Sequence, residues 1–504
     1  MLKIIDNWLN QITMYRLILY YVSGLWFVAL VLSIFKLLPY TPVEFVVSAG
    51  FIMGICLVAN TVFARVFGAP ANTESVYATA LILILIVSPT KSTSLLPFLG
   101  WVAFWSMASK YILAINKKHI FNPAAFAVAL MALTINRSAN WWVSSIYLLP
   151  FVLVGGLLMV RKIRRFDMVL SFFGAALLSI VGLNVLKGNN PLFVLEKILF
   201  YSPILFFGFA MLTEPMATPP TRKLRMLYGA LIGFLFNPVA HIGSFYFTPE
   251  IVLLTGNIFS YIVSPKEKWV LQLKEKVLSA ASVYDFWFKT DKKLNFKPGQ
   301  YMEWTLGHES QDVRGMRRYL TIASSPTEEG LMIGVKFYPN SSSFKQSMLF
   351  LNEGDQIIVS QLAGEFVMPK DTSKKLVFIA GGIGITPFRS MIKYMLDKNE
   401  KRDVILLYSN RAPSDIAYKD IFDQAEKKLG MKTIYTVTDQ PCPKDWTGEN
   451  CFIDEMMIKK AAPDYKERIF YISGTHAMVV AFVEVLQKMG VPKRNIVQDF
   501  FPGF

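Results

Sequence analysis

The chain has 504 residues, of which 53% are hydrophobic and only 17% charged, with a formal net charge of +16. Ordinary soluble domains carry about 25% charged residues, so the composition argues against a wholly soluble protein, and excess Lys and Arg then point to cytoplasmic loops rather than to nucleic acid. Three cysteines (Cys56, Cys442, Cys451) and four histidines are too few for a disulfide framework, a four-cysteine zinc site or a four-cysteine iron–sulfur cluster, and no metal site is expected.

Apolar runs long enough, or nearly so, to cross a hydrocarbon core of ~30 Å lie near 15–35, 43–64, 76–89, 94–115, 123–135, 141–160, 166–186, 192–212, 222–236 and 247–263. That makes about ten spans, and those at 76–89, 123–135 and 222–236 are short enough for broken or half-helices. No small-x-small cleavage site follows the first run, so no cleavable signal peptide is expected. With the N-terminus inside, the basic residues at 3, 16, 65, 117–118, 161–165, 222–225 and 266–268 share one side. Only Lys36, Lys91, Arg137 and Lys187 fall on the other. This bias predicts a multi-pass protein of the cell membrane with both termini cytoplasmic.

Phe121-Asn122-Pro123-Ala124-Ala125 returns as Phe236-Asn237-Pro238-Val239-Ala240, and Thr73-Glu74 as Thr213-Glu214. One copy falls in each half, and an odd number of spans per half would invert the repeat across the bilayer. The alternative is that Asn-Pro breaks a helix twice. Glu74 and Glu214 are candidate cation or proton groups, because carboxylates in a membrane region are costly; interfacial water is the plainer reading for Glu74.

The text changes at Ser264-Pro265-Lys266-Glu267-Lys268. Three regions are expected: a membrane all-α domain over 1–265, an antiparallel β-barrel over 266–370 and an α/β parallel-sheet nucleotide-binding domain over 371–504. Alternating strands are predicted at 269–276, 281–289, 301–306, 318–323, 331–337 and 356–361. Buried strands at 375–380, 404–408, 432–436 and 469–473 then alternate with helices, as in a parallel sheet. Phe378-Ile379-Ala380-Gly381-Gly382-Ile383-Gly384-Ile385-Thr386-Pro387 reads as a buried strand, a glycine turn and a helix start. Such a turn lets the backbone approach a pyrophosphate, and the helix N-terminus attracts its charge.

Arg318-Tyr319-Leu320-Thr321-Ile322-Ala323-Ser324-Ser325-Pro326 precedes those glycines, Tyr471-Ile472-Ser473-Gly474-Thr475-His476 follows them, and Asp499-Phe500-Phe501-Pro502-Gly503-Phe504 closes the chain. This ordered set resembles the ferredoxin–NADP reductase family over residues 269–504. The resemblance implies FAD on the barrel and NADH or NADPH on the parallel sheet. Arg318 would bind the FAD diphosphate, Thr321 would bond near flavin N5, and Tyr319 or Leu320 would cover the isoalloxazine. The family usually has an aromatic where Leu320 stands. Gln300 and Tyr301, Lys336, the loop Ser342, Ser343, Phe344 and Lys345, and Phe366 are the further implied flavin contacts. Gly381, Gly382, Gly384 and Thr386 would carry the nicotinamide cofactor's pyrophosphate. Ser473 and Gly474 stand where many members have Cys-Gly beside the nicotinamide, and Phe504 matches a flavin-shielding terminal aromatic. Arg411 would meet a 2′-phosphate or solvent, which leaves NADH against NADPH open. Thr321, Ser473 and Phe504 are the candidates at the hydride-transfer site.

His119-Ile120-Phe121-Asn122-Pro123-Ala124-Ala125-Phe126, Leu212-Thr213-Glu214-Pro215-Met216-Ala217-Thr218-Pro219-Pro220 and Tyr228-Gly229 resemble the Rnf complex D subunit and the Nqr complex B subunit, over roughly 15–264. That resemblance implies a second flavin near broken helices, with Asn122, Thr213, Glu214 and Thr218 as its candidates. The family's Ser-Gly-Ala-Thr attachment motif is missing, so a non-covalent FMN or riboflavin is expected. The sequence therefore predicts a flavin-dependent NAD(P)H oxidoreductase of the membrane. Its electrons would go to a quinone or a trans-membrane acceptor, with other electron-transport subunits as partners and Na+ or H+ as a coupled ion. Alternatives are a transporter or channel with a regulatory reductase, a reductase merely anchored in the bilayer, and a ferric-reductase-like haem enzyme. The last lacks histidine pairs: His119 and His241 are predicted at opposite faces.

Overall fold

The computed structural model describes the whole chain except residues 1–4, 7, 10, 69–72, 116–117, 215–216, 244, 265–267, 291–293, 309–311, 313, 440–445 and 502–504, together with the side chains of 118, 245, 500 and 501. The chain divides into two compact units, Met1–Lys268 and Trp269–Phe504.

The N-terminal unit is helical: α1 (Met14–Ile34), α2 (Pro42–Val66), α3 (Thr73–Ile86), α4 (Leu96–Ile112), α5 (Pro123–Ile135), α6 (Leu149–Ile163), α7 (Phe166–Leu186), α8 (Pro191–Tyr201), α9 (Ile204–Phe206, continuing as a π-helix over Phe207–Met211), α10 (Arg222–Leu235) and α11 (Pro249–Val263). Two short hairpins stand before α5 and α11: β1 (Ala114–Ile115) with β2 (Lys118–His119), and β3 (His241–Ile242) with β4 (Phe245–Tyr246). Sequence dictates the starts. Thr41 and Glu44 form a capping box ahead of Pro42, and the Asn122 carboxamide oxygen accepts from Ala125 N ahead of Pro123.

Among the described residues three helices, α1, α2 and α7, are long and apolar enough to cross a membrane, and α8 with α9 makes a fourth if the pair, bent by 64°, is one span. The break falls at Ser202-Pro203, where proline cannot continue a helix. Outward positions such as Phe27, Val58, Leu170 and Leu178 are exposed and apolar, a surface suited to lipid.

Helix contacts repeat between the halves. In the first half α1 packs on α3, α2 on α3 and α4, and α4 on α5; in the second half α6 packs on α9, α7 on α8 and α10, and α10 on α11. The halves meet where α1 lies on α6 and α5 on α11, and the Tyr21 hydroxyl donates to Val152 O at 3.1 Å. The Asn-Pro copies do not occupy matching places: Asn122-Pro123 starts α5 after its hairpin, whereas Asn237-Pro238 ends α10 before its hairpin. Gly229 and Gly233, four apart on α10, lie against the α7 backbone; a Cβ there would stand 2.3 Å from Met168 O and from Phe172 O.

The C-terminal unit holds two sheets. The first runs β8-β7-β10-β5-β6-β9, with β5 (Lys268–Ala280), β6 (Val283–Lys289), β7 (Tyr301–Thr305), β8 (Arg317–Thr321), β9 (Leu331–Lys336) and β10 (Gln356–Ala363). The sheet curls: Ala323 N, just past one edge strand, donates to Met332 O in the other at 2.8 Å. Its interior is filled by Leu271, Phe286, Phe288, Trp304, Ile333 and Val359, the inward residues of alternating strands. A short helix, α12 (Ser343–Leu349), lies between β9 and β10.

The second sheet is parallel, ordered β13-β12-β11-β14-β15, with β11 (Leu376–Gly381), β12 (Val404–Asn410), β13 (Lys432–Val437), β14 (Ile469–Thr475) and β15 (Ile496–Phe501). Helices α13 (Thr386–Lys398), α14 (Lys419–Leu429), α15 (Glu455–Ala461) and α16 (His476–Lys488) connect the strands. β11 is buried along nearly its whole length, which explains its unbroken run of apolar residues.

Candidate functional site

The carboxyl ends of β11 and β14 lie side by side, with Ala380 in register with Ser473. Gly382 takes φ +53, and a Cβ on Gly384 would stand 2.5 Å from Ser473 O and 2.7 Å from Gly474 Cα. A Cβ on Gly381 would meet Met478 Sδ at 2.1 Å. The glycines thus permit the fold of a loop that presses on β14. α13 opens directly from this loop, with no side-chain cap on its first amides, an anion-binding arrangement. The Thr386 hydroxyl donates back to Ile383 O at 3.2 Å.

On the curled sheet, Arg318 is buried, and its Nη1 donates to the carbonyls of Arg314, Gly315 and Arg317. Its guanidinium lies 5.1 Å from the centre of the Phe344 ring. Lys345 is buried beside it and donates to Lys336 O. Burial, and then repulsion from Arg318 and Arg314, pushes the Lys345 amine down to about 8; burial brings Arg318 down to about 10. Asp312, 3.9 Å from Arg318 and 2.9 Å from Arg314, offsets part of this crowding, and the cationic excess that remains fits a diphosphate. Thr321 Oγ1 and Ser473 Oγ are buried and have no hydrogen-bond partner among the described residues, which fits polar flavin and nicotinamide atoms nearby.

The other residues singled out by sequence occupy varied places. Tyr319 is exposed on the Thr321 face of β8, edge-on to Tyr301 at 5.7 Å, whereas Leu320 packs toward the barrel core. Of the two, Tyr319 is the one that presents its ring at the surface. Ser342 caps α12, and Ser343 Oγ lies 2.9 Å from His308 Nε2. Gln300 Nε2 donates to Gly364 O at 3.3 Å. Lys336 pairs with Asp415 at 2.9 Å, and Phe366 is packed against Phe388 and Tyr471, so both side chains are engaged in tying the unit together. Arg411 is exposed just past β12. Phe504, with Pro502 and Gly503, lies outside the described residues, as does Cys442.

In the N-terminal unit the structure joins Asn122 to Glu214. Asn122 Nδ2 donates to Glu214 Oε2 at 2.7 Å, the Asn122 backbone N–H donates to Asn257 Oδ1 at 2.7 Å, and His119 Nε2 lies 4.0 Å from Glu214 Oε1. The Thr213 hydroxyl instead donates to Phe209 O in its own helix, and Thr218 accepts from Arg165. Glu74 sits in the first turn of α3, where the helix dipole favours a carboxylate. His119 and His241 stand on hairpins, not helices. Sequence reading missed Asn257 and Ser260, and noted Tyr228 only within a motif; they are buried at the α5–α11 seam and on its neighbour α10. Asn257 Nδ2, Ser260 Oγ and the Tyr228 hydroxyl have no hydrogen-bond partner among the described residues. Glu250 and Asn257, seven apart and so on one face of the mostly apolar α11, are the signal that finds this seam.

Residues 378–484 match the family described as an oxidoreductase NAD-binding domain. The C-terminal unit contains an FAD- and NAD-binding oxidoreductase domain. The chain is 32% identical over 158 residues to the F component of the Na(+)-translocating NADH-quinone reductase of Yersinia pestis, covering 30% of this chain and 39% of that protein. It is 28% identical over 223 residues to the glycine betaine monooxygenase reductase subunit of Pseudomonas aeruginosa, covering 44% and 60%. The chain thus spans less than two thirds of either relative. Among solved structures, an Amycolatopsis cytochrome P450 reductase aligns with a TM-score of 0.43 at 20% identity, over 47% of this chain and 71% of that one. The cytochrome b5 reductase domain of Ulva prolifera nitrate reductase aligns at 0.41 and 24%, over 46% and 97%.

Proposed function

We propose that this chain is a membrane-bound NAD(P)H oxidoreductase that feeds electrons from a cytoplasmic FAD into its own membrane unit. The glycine loop between β11 and α13, within a matched oxidoreductase NAD-binding domain, carries the reading. Bound FAD supplies a two-electron acceptor that can release electrons singly. Arg318 and Lys345 hold the diphosphate, Thr321 offers a hydroxyl to the flavin edge, and Tyr319 covers its ring. Gly381, Gly382, Gly384 and Thr386 seat the nucleotide pyrophosphate. Ser473 and Gly474 leave a small-residue floor for the nicotinamide.

The N-terminal unit is read as about ten spans in an inverted repeat, with both termini cytoplasmic. The repeated helix contacts and the basic-residue bias support this. Asn122 and Glu214 face a non-covalent flavin at the seam of the halves, and electrons leave to a quinone or an outside acceptor, with Na+ or H+ coupled and further electron-transport subunits as partners. Extracting and counting flavins from purified chain, then titrating with NADH and NADPH, tests it. More than one flavin per chain is expected; a single flavin sinks the membrane relay.

The bent α8–α9 pair also favours a second reading, a transporter regulated by its reductase. Solute flux into liposomes without any nicotinamide nucleotide would favour it over the relay.

A further inference from the structure

The C-terminal unit buries a polar clasp where its two sheets meet, built from side chains not assigned above. Asp285 on β6 stands directly opposite Gly334 on β9. The Tyr418 hydroxyl, from the residue before α14, donates to Asp285 Oδ1 at 2.6 Å. Tyr418 adopts φ 60, a left-handed conformation that costs a non-glycine residue on the order of 1 kcal/mol or more. Its side chain is nevertheless buried and fixed. Gly334 explains how it fits: a Cβ there would stand 2.3 Å from the Tyr418 hydroxyl and 3.0 Å from Thr386 Cγ2. The absent side chain is a socket for the phenol.

Arg389 on α13 completes the clasp. Its guanidinium lies 5.7 Å from the centres of both the Trp287 and Tyr418 rings, donates to Ala323 O at 3.1 Å and pairs with Glu328. Ala323 is two residues beyond Thr321, and Thr386 is the first residue of α13. Arg389 therefore ties α13, which opens from the nucleotide loop, to the segment just past the flavin threonine, and Tyr418, held by Asp285, lies against that guanidinium.

We infer that the Tyr418–Asp285 pair, seated in the Gly334 socket, is a positioning device that holds the nicotinamide loop in register with the flavin-bearing strand. The inference rests on the proposed function, in which hydride passes between two cofactors on different sheets. Reacting atoms must be held about 3–3.5 Å apart, and a misplacement of about 1 Å costs on the order of a hundredfold in rate. Two sheets joined by loops need a fixed point close behind that gap. The groups facing Asp285 are Tyr418, Arg389, Ser279 and Asp420. Burial pushes Asp285 up to about 6, and burial beside that carboxylate keeps Tyr418 well above the ordinary tyrosine range, a donor throughout. Above pH 6 the bond is a hydroxyl on a carboxylate, the stronger kind; below it the pair is neutral.

The test is rapid mixing of full-length, FAD-loaded chain with NADH, following the fast phase of flavin reduction on both sides of pH 6. Tyr418→Phe should slow that phase at least about tenfold, with FAD content and nucleotide affinity kept. The wild-type rate should rise through about pH 6, and Asp285→Asn, which keeps an acceptor for Tyr418, should lose that inflection. Gly334→Ala should slow wild type but add little in the Tyr418→Phe background, because the displaced hydroxyl is already gone. If Tyr418→Phe loses FAD, Asp285→Asn and Gly334→Ala carry the test. A reducible wild type with Tyr418→Phe equally fast, or fully additive losses in the double variant, overturns the clasp alone. A wild type reduced by neither nucleotide overturns the proposed function and the clasp together.

Discussion

In the C-terminal unit, Thr321 and Ser473, two of the buried hydroxyls with no hydrogen-bond partner among the described residues, lie at or near the carboxyl ends of β8 and β14. In the N-terminal unit, three of the residues with such atoms, Tyr228, Asn257 and Ser260, lie inside helices. The difference follows from backbone chemistry. A sheet frees its backbone groups at strand ends, so a ligand can be met there by glycine loops and helix amides. A helix satisfies its own backbone along its length, so only side chains can reach a ligand in its interior. The first kind of site writes itself into sequence as glycine spacing; the second is written in isolated polar letters.

The sharpest break in this comparison comes at Arg318. Arg318→Ala removes a buried guanidinium from a site built of cations, and hydrogen bonds to charged groups are worth ~1.5–3 kcal/mol each. FAD affinity should fall about a hundredfold, read by flavin extraction from the purified chain. Unchanged FAD refutes the assignment. On the helical side, Glu214→Ala deletes the acceptor of Asn122 Nδ2, a bond of ~1.5–3 kcal/mol. The fast reduction of FAD by NADH should stay the same while onward transfer slows. A slowed fast phase would show that the two sites are not separable.

Gly384 tests the loop side more gently. In Gly384→Ala the new methyl meets Ser473 O, a backbone atom with no freedom to swing away. Overpacking of this kind costs ~1–3 kcal/mol. The nucleotide KM should rise with FAD content unaltered, and a KM within twofold of wild type would mean that β14 yields.

How much of the molecule is legible in its sequence follows the same division. The barrel strands show in runs of β-formers bounded by turn residues, and in places by alternation, as where inward Trp304 stands between Glu303 and Thr305. The glycine loop shows because Gly382 and Gly384 answer to geometry that other residues fail. The Asp285–Tyr418 bond joins residues 133 apart and has no local pattern. Leu320 and Tyr319 are equal candidates in sequence because strand facing is not visible until the register of β7 on β8 is known. The π-turn at Phe207–Met211 and the bend before it lie in one apolar run, where hydropathy is the same whether the helix is straight or broken. Asn257 and Tyr228 are single polar letters in such runs, which a helix facing lipid and a helix facing a ligand both tolerate.

The smallest expected effect isolates the electrostatics of the flavin site. Lys345 without a ligand loses its proton at about 8, because burial and its cationic neighbours disfavour the charge. A bound diphosphate reverses the second cause, so its binding raises the Lys345 value and takes up a proton. FAD affinity should therefore hold steady below about pH 8 and weaken above it, by at most about tenfold per pH unit for one linked proton. Lys345→Gln removes the titrating group, so affinity should be weaker at neutral pH but flat through that window. A wild-type affinity that stays flat from neutral pH through about pH 9 would place the diphosphate away from Lys345, leaving Arg318, oriented by its bonds to backbone carbonyls, as the remaining anchor.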